Sequence, residues 1–473
     1  MRILFLASEV VPFSKTGGLA DVAGALPAAL AKLGHEVVVA TPLYGSIRSV
    51  RIEPLGKKFT LRFPFGDATA ELHEARLSPN HRVLFIGNGP LFGRPGIYGE
   101  RSGEYPDNHR RFAFFSMAAL TAAQHIGFAP DVVHLNDWQT GLGALALRRG
   151  YRGTSLEGTR SVFTIHNMAY QGVFPKQAMR DLGLPWELFT VGGLEFYDQV
   201  NFLKAGLVYS DALTTVSRRY AEEIQTPEAG WGLDGLLRAR SARLFGILNG
   251  VDTQEWNLRS DPLLPGTDKA TCKRVLAERF GLELPPEPPG PPVFGIVSRL
   301  ASQKGLELVF PLLERLLKED VRLVMLGNGD PQLENRFRAA AERYPGKVGV
   351  YIGYDNPLSH LIEAGSDFFL MPSLYEPCGL NQMYSLLYGA VPIVRAVGGL
   401  DDTVIDASQP EGNGFKFGPF TVEALEEAIG RALALYRDPQ RLADVRQRGM
   451  HSDFSWDRSA RRYLEVYEAA NPL

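Results

Sequence analysis

The sequence of 473 residues contains only two cysteines, Cys272 and Cys378, and no cysteine pair at the spacing of a structural zinc site. Two cysteines cannot form the disulfide framework of a small secreted domain, so a reducing, cytoplasmic location is expected. The sequence also lacks the run of about 18 apolar residues that a membrane-spanning helix needs. A strand-like segment follows Met1 directly, without a charged leader and cleavage site, so we expect a soluble protein that is not exported.

An excess of either charge is also absent, because 50 Lys and Arg residues face 53 Asp and Glu residues and give a net charge of −3. No global basic field exists to attract nucleic acid or an anionic membrane, and both are excluded as partners. Hydrophobic residues make up 45% of the chain and charged residues 22%, which excludes disorder as its main state. At this length the chain is too long for one compact unit, and two domains are expected.

Short apolar runs rich in β-forming residues alternate with longer helical stretches, the pattern of βαβ units around buried parallel sheets. The first series has predicted strands at 2–7, 36–40, 82–86, 131–135, 161–165, 212–216 and 244–248, with helices at 19–33 and 110–123. The second has predicted strands at 293–298, 322–326, 348–352, 367–371 and 392–395, with helices from 305, 331 and 380. Each series predicts a doubly wound α/β domain.

Two segments compete for the domain boundary. The proline-rich stretch 284–292 can be neither a helix nor a central strand, so it predicts a surface connection. NGVD at 249–252 follows a predicted strand and is the better hinge. We therefore predict domains at 1–248 and 249–455, and a final helix at 456–473 that crosses back to the first domain.

The motif KTGGLAD at 15–21 follows the first strand and opens a helix. Glycines permit close backbone approach, free N–H groups at a helix start attract anions, and Lys15 adds a positive charge. The motif therefore indicates a phosphate or polar-ligand site, although an ordinary strand–helix turn has the same pattern. A nicotinamide domain is disfavoured, because no GxGxxG is present here and the second strand does not end in an acidic residue.

Polar groups end two further strands of the first series, in HLNDW at 134–138 and in IHN at 165–167. Open α/β sheets bind ligands at the carboxyl ends of their strands, so Asp137 and His166 are candidate partners of a sugar hydroxyl. His134 lies within its strand and is expected to be an interior residue.

The second series carries the other candidates. SRLASQKG at 298–305 places Arg299 and Lys304 on one strand–helix loop, a pair suited to a diphosphate unless it is simply a solvated loop. MPSLYEPCGLNQ at 371–382 places Glu376 beside a turn at Gly379 that leads into a helix. The alternative role for Glu376 is a charge that favours the helix N-terminus.

In this order and spacing, KTGGLAD, NDW, HN with MAYQG, NGVD, SRLASQKG and PSLYEPCGLNQ resemble bacterial glycogen synthases and plant starch synthases over essentially the whole chain. The resemblance implies a GT-B fold, with two Rossmann-like doubly wound domains facing a deep interdomain cleft that closes on its substrates. It also implies transfer of glucose from ADP-glucose to the non-reducing 4-hydroxyl of an α-1,4-glucan, with retention of configuration. The implied donor-side domain is the second, and the first is on the glucan acceptor side.

The resemblance assigns roles residue by residue. For catalysis it implies Glu376, His166, Arg299, Lys304 and Asp137. For ADP-glucose binding it implies Lys15, Gly18, Asp21, Asn249, Arg299, Lys304, Tyr354, Glu376, Cys378, Gly379, Leu380 and Asn381, and it links Tyr98 indirectly to activity. Asn381 replaces the Thr of some relatives, and Tyr384 stands where broader retaining transferases carry a second Glu.

No DxD motif offers magnesium ligands, so we expect catalysis without metal or other cofactor. In the expected mechanism the leaving phosphate takes the acceptor proton, and Asp137 is a weaker candidate base. The alternatives are a transferase that uses UDP-glucose or another acceptor, and a non-catalytic glucan-binding regulator. The sequence leaves the oligomeric state open.

Overall fold

The structure, a computed structural model, describes residues 1–48, 51–100, 103–286 and 289–470. The chain divides into two units. The first contains Met1–Val216, Ala221–Gly250 and Trp456–Leu473, and the second contains Ser217–Tyr220 and Val251–Ser455. The main division, after Gly250, is two residues beyond the boundary predicted after residue 248.

The first unit is built mainly on a nine-stranded sheet. The strands of the first unit, nine of which form this sheet, are β1 (Arg2–Leu6), β2 (Glu36–Pro42), β3 (Glu53–Leu61), β4 (Ala68–Ser78), β5 (His81–Gly87), β6 (Gly99–Glu100), β7 (Gly103–Glu104), β8 (Val132–Asn136), β9 (Arg160–Ile165), β10 (Val173–Pro175), β11 (Glu195–Phe196), β12 (Gln199–Asn201), β13 (Ala212–Thr215) and β14 (Leu244–Gly246). The early helices are α1 (Gly18–Lys32), α2 (Gly89–Phe92), α3 (Asn108–His125), α4 (Trp138–Gly150), α5 (Gln177–Leu182), α6 (Phe202–Tyr209), α7 (Arg218–Glu223) and α8 (Asp234–Ala239).

The large sheet has the strand order β14-β13-β9-β8-β1-β2-β5-β4-β3. Pairing from β14 to β5 is parallel, and the strands are almost continuously apolar because both faces are covered. After β1, the chain adds β2, β3, β4 and β5 on one side of that strand. It then returns, and β8 pairs with the other side of β1, so the direction of strand addition reverses between β1 and β8. Ligands bind at such a switch point, and the loops after β1 and β8 carry KTGGLAD and Asp137.

The sequence interpretation missed an antiparallel edge of this sheet. Strands β3 and β4 form a hairpin that extends β5, and β10, β12 and β11 form a separate three-stranded antiparallel sheet. Most β3 side chains are exposed, so this strand has no apolar run from which it could be predicted.

The last helix of the chain, α17 (Trp456–Ala469), belongs to the first unit and packs against α1. Its buried face includes Tyr463 and Tyr467, which join the core around β1 and β2. The hydroxyl of Tyr467 lies 2.6 Å from His134 Nδ1, and His134 Nε2 lies 2.6 Å from the hydroxyl of Thr164. His134 is fully buried with both nitrogens bonded, which confirms it as an interior residue.

The second unit has a six-stranded parallel sheet of β15 (Val293–Val297), β16 (Arg322–Gly327), β17 (Val348–Ile352), β18 (Phe368–Met371), β19 (Val391–Arg395) and β20 (Phe415–Phe417). Its helices are α9 (Lys269–Phe280), α10 (Phe310–Leu316), α11 (Pro331–Arg343), α12 (Asn356–Gly365), α13 (Asn381–Leu387), α14 (Gly398–Thr403), α15 (Val422–Tyr436) and α16 (Pro439–Met450). The strand order β17-β16-β15-β18-β19-β20 is the doubly wound order 3-2-1-4-5-6, with its switch point between β15 and β18.

The helix predicted from residue 305 is wrong. Two short 3₁₀ turns, Ser302–Lys304 and Leu306–Leu308, precede α10 instead. Gly305 separates them with a φ of +63°, and a Cβ there would come within 2.0 Å of the Pro372 carbonyl oxygen. The loop therefore lies against the end of β18, where a regular helix could not start.

The proline-rich stretch predicted as a surface connection lies between α9 and β15. Residues 287 and 288 within it are outside the described part of the chain. Lys273 Nζ holds the rest in place, because it donates to the Pro289 carbonyl oxygen at 2.8 Å and pairs with Asp367 at 2.7 Å.

Candidate active site

A pocket of about 170 Å³ lies at the switch point of the second unit, where β15 and β18 end. It is lined by Val297, Ser298, Arg299, Lys304, Leu306, Leu370, Met371, Pro372, Ser373, Glu376, Gly379, Leu380 and Asn381. The structure thus brings together the two motifs of the second series, which are separated by about seventy residues in the sequence.

The best-defined contact in this pocket joins Glu376 and Lys304. Lys304 Nζ donates to Glu376 Oε2 at 2.6 Å, and the Ser373 hydroxyl donates to the same oxygen at 3.1 Å. Only 8% of the Glu376 side chain and 18% of the Lys304 side chain are exposed, so the pair is held away from bulk water. Glu376 lies before the start of α13 and is an ion-pair partner, rather than only a charge at a helix N-terminus.

Arg299 is the second cation of the pocket and is exposed. The loop that carries it is fixed from α13, because Asn381 Nδ2 donates to the Val297 carbonyl oxygen at 2.6 Å. The Asn381 side chain therefore uses its donor on the end of β15, just before the loop that carries Arg299. Sequence reasoning assigned Asn381 to ligand binding and missed this contact.

The turn into α13 requires glycine. Gly379 has a φ of +71°, and a Cβ on it would come within 2.5 Å of Gln382 Oε1. Cys378 before it is buried, and Leu380 after it is the last residue before the helix. This places the backbone of Gly379 and Leu380 on the wall of the pocket.

In the first unit, Glu9 organises the loop after β1. Its carboxylate is buried and accepts hydrogen bonds from the Thr16 hydroxyl at 2.7 Å, the Gly17 N–H at 3.2 Å and the Thr16 N–H. A buried carboxylate requires such donors, because desolvation of a lone charge is costly. Glu9 therefore fixes the KTGG backbone, and α1 begins at Gly18.

Tyr98 completes this arrangement from a distant loop. Its hydroxyl donates to Glu9 Oε1 at 2.5 Å and lies 2.7 Å from the Ser8 hydroxyl. Burial and the Glu9 carboxylate raise the pKa of Tyr98 well above its ordinary value, so the phenol keeps its proton. This bond ties Tyr98 to the loop after β1, and its indirect link to activity stays a prediction.

Lys15 and Asp21 were both predicted to bind the nucleotide sugar, and the structure pairs them with each other. Lys15 Nζ lies 2.7 Å from Asp21 Oδ1, and both side chains are more than one third exposed. Exposed pairs are weak, typically about 0.2 to 1 kcal/mol, so an anion can replace Asp21 as the partner of Lys15.

Asp137 follows β8 with a φ of +56°, a conformation that is rare outside glycine. Its Oδ1 accepts the His166 N–H at 2.8 Å, so the ends of β8 and β9 are joined through this carboxyl group. Burial raises the pKa of Asp137 to about 7, although the N–H groups of His166 and Asn167 oppose the shift. Backbone strain and a raised pKa at one residue are typical of functional sites.

The tautomer of His166 follows from its neighbour Asn136. The Asn136 Nδ2 donates to the Leu6 carbonyl oxygen at 2.9 Å, which leaves its Oδ1 to accept from His166 Nε2 at 3.0 Å. Burial lowers the pKa of His166 to about 3, so the ring is neutral and its Nδ1 is an acceptor. The ring can therefore accept a hydrogen bond from a sugar hydroxyl.

Two remaining predicted positions, Tyr354 and Asn249, have different surroundings, and Tyr384 has a packing role. Tyr354 is 81% exposed after β17. Asn249 is buried, and its Oδ1 makes no hydrogen bond within the part of the chain that the structure describes. Tyr384 stacks on Trp256 with ring centroids 3.6 Å apart, so this position packs the second unit instead of supplying a carboxylate.

Sequence reasoning missed Glu9, Asn136 and Ser373. Glu9 was visible as an acidic residue at the end of an apolar strand just before a glycine loop. Asn136 and Ser373 sit within recognised motifs but act on other side chains, which no spacing reveals.

Two Rossmann-like units, one of which holds a cationic pocket with a buried carboxylate at its switch point, form the architecture of GT-B glycosyltransferases. A family model described as the starch synthase catalytic domain matches residues 2–239, and one described as glycosyl transferases group 1 matches residues 283–448. The chain belongs to the glycogen and starch synthase family of glycosyltransferases.

Relatives that align over their full length and a solved structure support this family membership. The glycogen synthase of Myxococcus xanthus is 60% identical and covers 99% of both chains, and that of Anaeromyxobacter dehalogenans is 50% identical and covers all of both. The catalytic domain of starch synthase IV from Arabidopsis thaliana, bound to ADP and acarbose, superimposes with a TM-score of 0.88 at 32% identity and covers 99% of each chain. Among the described residues, no helix has the length and apolar character needed to cross a bilayer.

Proposed function

We propose that this enzyme transfers glucose from ADP-glucose to the non-reducing 4-hydroxyl of an α-1,4-glucan, with retention of configuration, and so elongates glycogen. The observation that carries the proposal is the pocket at the switch point, where Lys304, Arg299 and the ion-paired Glu376 share one wall. The glycogen synthase relatives and the ADP-bound starch synthase support the choice of substrates.

The diphosphate of the donor is assigned to Arg299 and Lys304. Arg299 offers a planar fork to phosphate oxygens and Lys304 a point charge, so together they stabilise the charge that develops on the leaving ADP. Gly379 and Leu380, at the turn into α13, line the same pocket, and their backbone N–H groups are assigned to the phosphate oxygens as well. Tyr354, exposed after β17, is assigned to the adenine ring.

Glu376 is assigned to the donor glucose. Its Oε2 is occupied by Lys304 and Ser373, which leaves Oε1 to accept hydrogen bonds from sugar hydroxyl groups. Lys15, Gly18 and Asp21 are assigned to the nucleotide sugar and His166 and Asn249 to the transferred sugar.

In the proposed step, the acceptor O4 bonds to glucose C1 on the face from which the phosphate departs. The bond between C1 and the phosphate oxygen breaks with its electron pair on ADP, and the proton of the acceptor hydroxyl moves to that phosphate oxygen. No protein base is required. Asp137 is the alternative base, since its pKa of about 7 would suit proton transfer near neutral pH.

We also propose that the reaction needs no metal ion. The cations of the pocket supply the charge that magnesium supplies elsewhere, and the described residues include no cluster of three or more His, Cys, Asp or Glu side chains that could hold a metal. A cytoplasmic location is proposed, because neither Cys272 nor Cys378 forms a disulfide.

The test is incorporation of labelled glucose into glycogen from ADP-, UDP- and GDP-glucose, each supplied separately and then in competition. The proposal expects ADP-glucose to give the highest kcat/KM. A higher kcat/KM with UDP-glucose would show that UDP-glucose is the donor, while the class of reaction would stay the same. Glycogen binding without transfer from any donor would instead indicate a non-catalytic glucan-binding regulator.

A further inference from the structure

A groove of about 850 Å³ lies in the second unit, between helices α9 and α16. All of the residues that line it fall between 269 and 450, so its geometry belongs to that unit alone. Its volume is within the range of about 300 to 1,000 Å³ that is typical of small-molecule sites. The described lining includes none of the residues assigned to ADP-glucose.

The groove is at the opposite end of the sheet from the candidate active site. Asp367 lines the groove and precedes β18, whereas Met371 ends β18 and lines the active-site pocket. Four residue steps along a strand separate their Cα atoms by about 13 Å. The Asp367 carboxylate also accepts the N–H of Val293, the first residue of β15, at 3.0 Å. The groove therefore lies at the amino ends of β15 and β18 and is a separate site.

One wall of the groove is aliphatic. Ala443 is exposed, and Leu284 and Met450 are half-buried, so part of this apolar surface faces water. Removal of apolar surface from water is favourable, and an apolar chain along the wall would achieve it. We call the following wall residues, together with Arg446, the amino-end groove: Ala277, Leu282, Leu284, Leu442, Ala443 and Met450.

Three charged groups border the aliphatic wall. The Asp367 carboxylate, which is 6% exposed, pairs with Lys273 Nζ at 2.7 Å and with Arg446 Nη2 at 2.6 Å. Burial opposes ionisation, but Lys273 and Arg446 hold the pKa of Asp367 below its ordinary value. Two cations therefore share one carboxylate, which leaves one positive charge in excess.

Arg446 carries the unused donors of this cluster. Lys273 Nζ engages all three of its hydrogens, because it also donates to the Pro289 carbonyl oxygen at 2.8 Å and to the Tyr436 hydroxyl at 2.9 Å. The Arg446 guanidinium has five N–H groups, and its hydrogen bond within the described ranges is the one to Asp367. Its Nε is buried without a partner there, and 22% of the side chain is exposed. A further acceptor therefore fits beside Arg446.

The other charges of the groove are already compensated. Arg274 pairs with Glu278 at 2.8 Å, one turn along α9. Lys269 Nζ donates to two carbonyl oxygens at 2.6 and 3.2 Å. The excess positive charge is therefore located at Arg446.

A carboxylate is the acceptor that the planar fork of arginine fits, and an aliphatic chain matches the wall. We infer that the amino-end groove binds an aliphatic carboxylate, with its headgroup at Arg446 and its chain along the wall. A sugar chain fits poorly, because Tyr436 is the one aromatic side chain of the described lining and its hydroxyl is engaged by Lys273. The inference is independent of the proposed function, since this ligand is neither donor nor acceptor.

The experiment is calorimetric titration of the full chain with hexanoate, octanoate and decanoate, without donor or glucan. The affinity is expected to rise about tenfold for each two added CH₂ groups, because each group buries further apolar area. Octanol and octylammonium match octanoate in length but not in charge. Octanoate should bind at least about tenfold more tightly than octanol, and octylammonium more weakly than either.

Three variants locate the ligand. Ala443→Trp fills the groove from an exposed position of α16, so it should weaken decanoate binding more than about tenfold at an unchanged thermal midpoint. Arg441→Trp is the matched control, because exposed Arg441 lies two residues earlier, about 200° around the helix. It should bind decanoate like the wild type, and both tryptophan variants should keep the wild-type KM for ADP-glucose. Arg446→Lys leaves a cation for Asp367 but removes the fork, so it should weaken octanoate about tenfold and leave octanol unchanged.

Several results would overturn the inference. They are equal affinities along the chain-length series, octylammonium that binds as tightly as octanoate, and wild-type decanoate affinity in Ala443→Trp. Displacement of decanoate by ADP would place the ligand in the pocket at the carboxyl ends of β15 and β18 instead. Self-association of the wild type in sedimentation that Ala443→Trp abolishes would show that the groove holds a second copy of the chain.

Discussion

Lys304 Nζ donates a hydrogen bond to Glu376 Oε2 across 2.6 Å, so a cation assigned to phosphate also holds the carboxylate assigned to glucose. The two residues come from different loops, one after β15 and one after β18, which are neighbouring strands of the sheet. The pair couples the sites for the leaving group and the sugar: movement of either partner disturbs the other.

Glu376→Gln is therefore expected to lower kcat by about 10²- to 10³-fold, the usual loss when one electrostatic contact in an active site is removed. Glutamine keeps the shape and can still accept from Lys304, so binding of ADP should change little. The measurements are initial rates with ADP-glucose and calorimetric titration with ADP.

Glu363→Gln provides a control in the same unit. Glu363 is buried, neither of its carboxyl oxygens has a hydrogen-bond partner among the described residues, and burial raises its pKa well above its ordinary value. Burial therefore favours its protonated form, which an amide resembles, and the Gln variant should keep kcat near the wild-type value. Equal losses in both variants would show that the effect at Glu376 is not specific to the pocket.

Asp137 gives a prediction about pH. Burial raises its pKa from 3.8 to about 7, so the folded protein keeps a proton that the unfolded chain has lost. Stability must then fall as pH rises from about 4 to 7, by up to about 4 kcal/mol from this group. Asp137→Asn removes the titration, so its thermal midpoint should rise relative to the wild type between pH 5 and pH 8.

Asp131→Asn is the control for this series, because Asp131 is exposed just before the same strand. The thermal midpoint of Asp131→Asn should not rise relative to that of the wild type between pH 5 and pH 8. Parallel pH profiles for Asp137→Asn and the wild type would show that Asp137 is ionised throughout.

Much of the fold follows from the sequence. The buried strands of a parallel sheet are continuous apolar runs, and the helices between them have apolar residues that recur with the helical period. The predicted start of α11 at residue 331 and the predicted bounds of β17 agree with the structure. Hairpin β3–β4 contains no such apolar run, since β3 is largely exposed at the sheet edge and the buried residues of β4 are separated by exposed ones. The break at Gly305 depends on the distant Pro372 carbonyl, which no local pattern contains.

The candidate site shows the same limit. Strand ends and glycine turns located Arg299, Lys304 and Glu376 together, because a parallel sheet brings its carboxyl ends to one edge. The sequence could not reveal which charges neutralise each other. Lys15 is paired with Asp21 and Lys304 with Glu376, and both pairings depend on side-chain directions that only the fold sets.

The proposed absence of a metal ion is tested by chelation. Activity after exhaustive dialysis against a chelator should equal that of the untreated enzyme, because Arg299 and Lys304 are assigned the charge that would otherwise need magnesium. Added magnesium should change the rate by less than about twofold, through screening alone. Loss of activity on chelation with recovery on magnesium addition would contradict the proposal.

Tyr98→Phe tests whether the loop after β1 must be held in place for donor binding. The change removes the hydrogen bond to Glu9 at 2.5 Å and leaves Glu9 bonded to Thr16 and Gly17. Loss of one hydrogen-bond donor to a buried acceptor lowers the stability of the folded protein by about 1 to 3 kcal/mol. We expect part of this loss to appear as weaker fixation of the KTGG backbone by Glu9. The KM for ADP-glucose should rise about threefold to tenfold, with kcat within about threefold of the wild type.

Tyr151→Phe is the matched control, since its hydroxyl bonds Thr121 and the Met117 carbonyl oxygen, away from this loop. It should lower the thermal midpoint but leave the KM unchanged, and a Tyr98→Phe variant with the same behaviour would show that Tyr98 only stabilises the first unit.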